Sequence, residues 1–171
     1  MKLLKMILSA REKPAGKVPG IQDVIENLRL LSKGEGDIAE FYQLCGDVLT
    51  DDRAFWHELA KSERTHAETM LRMADLVEME PGKYRPGNSC NIALIRLLRS
   101  HINDLVARLR EGKIQKEELL SMAADIESSV VELSYIDIVK TDVPEYCAMA
   151  RRLEEDTDGH RRAFEERMRV N

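Results

Sequence analysis

The sequence predicts an all-α fold: a four-helix bundle with one long crossover that contains an extra helix. Three observations carry this reading. Charged residues make up 33% of the 171 positions and aromatics only 5%, with few glycines and prolines, as in long amphipathic helices. Apolar residues recur at helical spacing through five stretches of the chain. The helix breakers fall between those stretches and leave two short connections and one long one. In a bundle, that pattern means two antiparallel hairpins joined by a single crossover.

The first helix is expected over about 21–49, with Ile21, Val24, Leu28, Leu31, Glu35, Ile38, Tyr42, Cys45 and Leu49 facing inward. Thr50-Asp51-Asp52 form a tight turn and offer capping side chains to a second helix over about 53–77. That helix carries the stripe Phe55, Leu59, Met70, Met73 and Val77. Residues 81–89 hold Pro81, Gly82, Pro86 and Gly87 and cannot prolong it. An amphipathic crossover helix follows over about 91–110, with Ile92, Ile95, Leu98, Ile102, Leu105 and Leu109 on one face and Gly112 as its stop. Its stripe either covers the bundle or forms the contact of an expected homodimer. The next helix spans about 115–140, with Leu120, Ala123, Ala124, Glu127, Val130, Val131, Ser134 and Ile138 inward. Asp142 is read as the cap and Pro144 as the first turn of the last helix, over about 143–169. Its inward positions are Tyr146, Met149, Leu153, Thr157, His160 and Phe164.

Residues 1–20 read as a flexible arm ahead of a single domain over 21–171. The arm's apolar start is broken by Lys2 and Lys5, too short to span a membrane and without the form of an export signal. Net charge is −5 with both signs interspersed, and no basic patch carries interleaved aromatics, which argues against nucleic-acid binding. Cys45, Cys90 and Cys147 are an odd set with no C-x-x-C pair. That favours a reducing, cytoplasmic setting with structural thiols over a disulfide framework or a zinc or rubredoxin-type centre.

Charged and imidazole side chains interrupt the apolar stripes. Glu63 and His66 stand one turn apart on the face of the second helix, while Glu35, Glu127 and His160 each sit inside a stripe of their own. Buried acids and imidazoles are costly unless they pair with one another or hold a metal. A lone E-x-x-H is a weak signal on a charged helix, but one that shares its depth with carboxylates from two other helices and a second histidine is the pattern of a dinuclear carboxylate site. Met70, Met73 and Met149 read as core filler, and His57 and His101 as surface residues.

Along Glu35, Phe41-Tyr42, Phe55-Trp56, Glu58-Leu59-Ala60, Glu63-Arg64 and His66, the chain resembles the first hairpin of the rubrerythrin-like branch of the ferritin-like superfamily. Ile126-Glu127, Leu133, Leu153-Glu154-Glu155 and His160 resemble the second hairpin less closely. The resemblance implies a ferritin-like bundle holding two irons, with manganese or zinc as other candidate metals. It implies Glu35 and Glu127 as terminal ligands, Glu63 as a bridge, one metal each for His66 and His160, and Tyr42 as a hydrogen-bond donor beside the site. The implied chemistry is reaction with peroxide or dioxygen, or oxidation of ferrous iron, in an oxidative-stress setting. With no rubredoxin-like module in the sequence, electrons would come from a separate donor protein.

Two departures open other readings. Thr157 stands three before His160, where the family has a second bridging glutamate, and a hydroxyl cannot replace that carboxylate. Asp156, one turn before His160, could turn inward in its place, although it is shorter and off the stripe. Gly34 and Gly36 flank Glu35 and weaken helix there by up to ~1 kcal/mol each, so residues 32–37 could instead form a kink with Glu35 solvated and Asp37 as a cap. His160 is either a ligand or a core histidine paired with Glu127. The alternatives to a dinuclear protein are a single-metal protein and a metal-free bundle serving as a structural or interaction module.

Overall fold

The computed structural model of the protein describes residues 20–87, 92–131 and 135–170. The expected arm ahead of Gly20, Cys90, Ser134 and the side chains of Val130 and Val131 lie outside that description. The fold is all-α, with helices α1 (Ile21–Val48), α2 (Arg53–Met79), α3 (Ile92–Arg110), α4 (Leu119–Val131) and α5 (Pro144–Val170). Among the described residues, no helix is long and apolar enough to cross a membrane.

α1 and α2 form one close pair and α4 and α5 another, and the two pairs meet across a common core. α1 runs unbroken through Gly34 and Gly36, and Glu35 is only 3% exposed, so the kink expected around 32–37 does not form. Packing on both flanks outweighs the glycine cost, since Leu31, Ile38, Phe41 and Tyr42 are all buried. The turn over Thr50–Asp52 is a 3₁₀ turn, as the sequence suggests, and Asp52 precedes α2. Its carboxylate does not cap, however. It accepts from Arg167 Nη1 at 2.7 Å and so ties the turn to the end of α5.

α3 answers the question of the crossover stripe. Ile95, Leu98, Ile102, Leu105 and Leu109 are buried within this one chain, against α1. Arg96 pairs with Glu26, Arg99 with Asp37 and Arg110 with Glu40, in the same order along both helices, so α3 runs parallel to α1. Arg99 and Asp37 are half-buried and the other two pairs exposed, and exposed pairs contribute about 0–1 kcal/mol each, so the buried stripe dominates and the charges set the register. α3 stops where the sequence indicates. Gly112 has φ +65°, and Lys113 N donates to Arg108 O at 2.9 Å, the pattern of a glycine-closed helix end.

The long helix expected over 115–140 is shorter. It is α4 alone, preceded by a 3₁₀ turn at Lys116–Glu118 and followed by another at Tyr135–Ile138 and a two-residue strand, Val139–Lys140. Ile136, Ile138 and Val139 are β-branched and disfavour a continued α-helix, and Val139 suits the strand that follows the 3₁₀ turn. That strand pairs antiparallel with Arg85–Pro86, with Arg85 opposite Lys140 and Pro86 opposite Val139. Gly87 N donates to Ile138 O at 2.9 Å, and a Cβ at Gly87 would stand 1.9 Å from Asp137 O, so this clasp admits only glycine. Ahead of α5, Thr141 Oγ1 rather than Asp142 accepts from Val143 N at 3.2 Å, while Pro144 opens the helix as expected.

Cys45 is fully buried and free, and burial pushes its thiol far up. Cys147 is free and half-buried. His57 and His101 are half-buried rather than surface residues. His57 Nε2 lies 2.8 Å from Gln43 Nε2, and its ring packs over Gly46, where a Cβ would meet Cδ2 at 2.6 Å.

Candidate metal centre

Four helices send polar side chains into one apolar interior. α2 contributes Glu63 and His66, three residues apart and therefore on one face. α4 contributes Glu127, set beside the small residues Ala123 and Ala124. α5 contributes His160 and α1 contributes Tyr42. Glu63, His66 and Glu127 are each 2% exposed and Tyr42 is wholly buried, while the His160 side chain is 13% exposed.

Glu63 stands at the centre of the arrangement. Its Oε2 lies 2.8 Å from His66 Nδ1 and its Oε1 lies 2.7 Å from His160 Nδ1. One carboxylate therefore faces two imidazoles, one with each oxygen. The rings of His66 and His160 stack at 5.5 Å between centroids. Glu127 Oε1 is 3.7 Å from His160 Nδ1 and accepts from the Tyr42 hydroxyl at 2.5 Å. His160 thus pairs foremost with Glu63, rather than with Glu127 as the core-histidine reading expected.

The electrostatics follow from this geometry. Burial works against the charge on Glu63, but the two imidazoles outweigh it and hold its carboxyl down at about 2. Burial also works against a charged His160, yet Glu127 and Glu63 together raise it to about 10. Glu127 is shifted the other way, up, because burial and the negative charge of Glu63 outweigh its partners. Tyr42 is pushed well above the ordinary phenol range by burial and by the adjacent Glu127 carboxylate. Two carboxylates of opposite shift beside two imidazoles form a site that holds charge unevenly, a feature common where chemistry or a cation is accommodated.

Glu63, His66 and His160 each present a ligand atom within 4.8 Å of the other two, which suits a single cation or the edge of a pair. Three buried atoms of these same residues have no hydrogen-bond partner among the described residues: Glu63 Oε1, His66 Nε2 and His160 Nδ1. Glu63 Oε1 and His160 Nδ1 approach each other to 2.7 Å as an ion pair. These two atoms converge in a dry interior, while His66 turns Nδ1 to Glu63 and Nε2 to Asp156, and a set of unsatisfied donor and acceptor atoms of this kind suits a cation.

The remaining sequence candidates fall into place around that core. Glu35 is buried in α1 but does not belong to the three-residue cluster. Thr157 is 3% exposed, and its hydroxyl donates to Leu153 O at 2.8 Å, back onto its own helix. Asp156, which the sequence leaves free to turn inward, points its Oδ2 to within 3.5 Å of His66 Nε2 while its side chain stays 42% exposed.

Comparison with protein-family models, with curated proteins and with solved structures finds no match for this chain.

Proposed function

We infer that the chain is a rubrerythrin-like, ferritin-like-bundle metal protein whose interior holds a non-haem iron pair that meets peroxide or dioxygen, or oxidises ferrous iron. The observation that supports this reading is the double approach to Glu63, with each carboxylate oxygen beside a different imidazole. A bridging carboxylate needs that disposition, one oxygen and one nitrogen for each of two cations. Glu63 is the bridge, His66 and His160 the two imidazoles, and Glu127 the carboxylate on the His160 side. Glu35, buried on α1, is the expected terminal carboxylate on the other.

Oxygen and imidazole donors suit iron or manganese, with zinc a competitor at the histidines. When bound, the metals would supply electrons to peroxide at open coordination positions. The chain's own residues set the conditions for that chemistry. Tyr42 donates to Glu127 and fixes its rotamer, and the packed aromatics Phe41, Trp56 and Phe164 around the Tyr42 ring exclude water on that side. A separate cytoplasmic electron donor would close the cycle.

Anaerobic Fe(II) titration tests this: it should saturate near two metals per chain, and Glu63→Ala should abolish binding. Absence of iron, manganese or zinc binding under any loading condition would overturn the reading.

A second reading has its own support. Thr157 gives its hydroxyl to Leu153 O, so α5 offers no bridging group at that position. A single cation on Glu63, His66 and His160 would then be the functional unit, and the same titration would saturate near one.

A further inference from the structure

Where α1 and α2 approach the turn that joins them, one imidazole nitrogen stands between a donor and an acceptor. His57 Nε2 lies 2.8 Å from Gln43 Nε2 and 3.5 Å from Asp47 Oδ1. Gln43 and Asp47 are one turn apart on α1, and His57 is on α2. The ring sits directly on Gly46, where a Cβ would meet ring Cδ2 at 2.6 Å and Nε2 at 2.8 Å. Glycine at 46 is what lets the imidazole come this close to the backbone of α1.

The orientation of the Gln43 amide decides which form of His57 this seat accepts. Arg64 Nη2 donates to Gln43 Oε1 at 3.1 Å, and a guanidinium has no acceptor to offer. The carboxamide oxygen is thereby committed to Arg64, and the NH2 group faces the ring. That group only donates, so His57 Nε2 accepts and the ring proton resides on Nδ1. Asp47 makes the opposite demand. A carboxylate only accepts, so it gains from His57 when Nε2 carries a proton. Turning the amide over cannot serve both, because its NH2 would then face the Arg64 guanidinium. The other charged groups nearby are cations. On α2, Arg53 Nε donates to Gly46 O at 3.4 Å and Lys61 stands one turn past His57. α5 reaches the same turn through Arg167, which is held by Asp52 and lies over the Phe55 ring. Among the described residues, Asp47 is the carboxylate that a charged His57 meets.

We propose that Gln43, His57, Asp47 and Arg64 form an acid-sensitive latch between α1 and α2. With His57 neutral, one amide of α1 is stapled to α2 twice, by Arg64 and by the ring. Protonation of Nε2 sets two donors against each other, ends the Gln43 contact and hands the ring to Asp47. The exchange is uneven. The Asp47 side chain is 55% exposed and that of His57 35%, and water weakens such a pair. The latch therefore loosens on acidification, across the range of about pH 5–8 in which imidazoles change charge. Gln43 follows Tyr42 and Arg64 follows Glu63 in the chain, so the latch joins the outer sides of the two helix turns that carry those residues. It needs no metal.

The test is nitrogen–proton NMR of the side chains in the full, metal-free chain, from about pH 8 down to about pH 5. At the alkaline end the His57 ring should show the Nδ1–H tautomer, and one Gln43 amide proton should lie downfield of a free carboxamide. On acidification that amide signal should return to the free position in step with the ring. Gln43→Ala removes the donor and should move the ring's titration to higher pH by about 0.4–1 unit, the equivalent of one hydrogen bond. Arg64→Ala, which frees the amide to turn its oxygen to the charged ring, should also raise it, and by clearly less once Gln43 is already Ala. A ring proton on Nε2 at the alkaline end would overturn the proposal, as would a Gln43 amide signal that ignores the titration of His57. Equal shifts from Arg64→Ala with and without Gln43 would do the same, since the guanidinium would then act by charge alone and the amide would lock nothing.

Discussion

The α1/α2 pair and the α4/α5 pair carry comparable parts but finish them differently. α1 and α2 are long, unbroken helices of 28 and 27 residues, and α2 presents an intact Glu63/His66 couple to the interior. α4 has 13 residues and gives way to a β clasp, and α5 keeps His160 while its expected partner position holds Thr157. The first pair thus supplies the hub of the cluster, and the second supplies satellites to it: His160, Glu127 and, at the rim, Asp156. One helix pair can hold the electrostatic centre while the other contributes single groups, provided those groups reach that centre.

The sharpest way to break this asymmetry is to remove the hub. Glu63→Ala leaves His66 and His160 facing an apolar gap, with His160 keeping only Glu127 at 3.7 Å. Loss of one partner from a buried ion pair costs about 3–5 kcal/mol, and the surviving Glu127 contact places the expected loss near the lower end. Urea unfolding of the metal-free protein measures it. A loss below about 1 kcal/mol would mean that the buried charges are not mutually stabilising.

Restoring the missing group sharpens the comparison. Thr157→Glu places a carboxylate where the first pair already has one. Without metal it adds negative charge beside Glu63 and Glu127 and should destabilise the fold by about 1–3 kcal/mol. With Fe(II) or Co(II) that order should reverse, with tighter binding and a higher melting temperature than wild type. If the variant stays below wild type even when saturated with metal, position 157 does not address the site.

These effects show what could be read from residues and what could not. The stripes of α1, α2, α4 and α5, and the place of Glu63, His66, Glu127 and His160 upon them, follow from helical spacing, because a one-dimensional period fixes which face is buried. The continuity of α1 through Gly34-Glu35-Gly36 did not follow, because propensity is local and the packing that overrides it is not. The clasp at Arg85–Pro86 and Val139–Lys140 was illegible for a similar reason. Its partners lie some fifty residues apart, and two-residue strands leave no period of their own. Asp156 was legible only as an option, because a stripe of single inward positions is narrower than the face a helix turns to its neighbours.

The pH dependence of metal-free stability separates the two halves by sign. His160 rises from its ordinary 6.5 to about 10 on folding, so its contribution is complete below pH 6.5 and is lost as pH climbs towards 10. Glu63 falls from 4.5 to about 2, so its contribution is complete above pH 4.5 and is lost as pH drops towards 2. Glu127, raised by burial, erodes stability once pH exceeds its ordinary 4.5. The cluster should therefore favour folding most near pH 4.5, falling on the acid side through Glu63 and on the alkaline side first through Glu127 and then, above pH 6.5, through His160, each by at most about 1.4 kcal/mol per pH unit per proton. Denaturant unfolding across pH 3–10 in chelator checks this, and His160→Gln should flatten the alkaline limb. Metal binding runs the opposite way, because His160 must lose its proton to bind, so the stabilisation gained from added Zn(II) should grow from pH 5.5 to 7.5.

The smallest expected effect comes from a pair of glycines that mirror one another. Gly36 follows Glu35 in α1 and Gly159 precedes His160 in α5, and a Cβ at either would meet nothing within 4 Å. Both lie inside helices, where glycine costs about 0.5–1 kcal/mol relative to alanine, mostly through the freedom of the unfolded chain. Gly36→Ala and Gly159→Ala should each stabilise the metal-free protein by about that amount, read as a shift of the urea midpoint at constant m-value. If both helices are rigid supports, neither change should alter Co(II) affinity. A Gly159→Ala variant that gains stability but binds Co(II) more weakly, beside an unaffected Gly36→Ala, would mean that α5 must bend for His160 to meet a cation. The asymmetry between the two halves would then be one of motion as well as of charge.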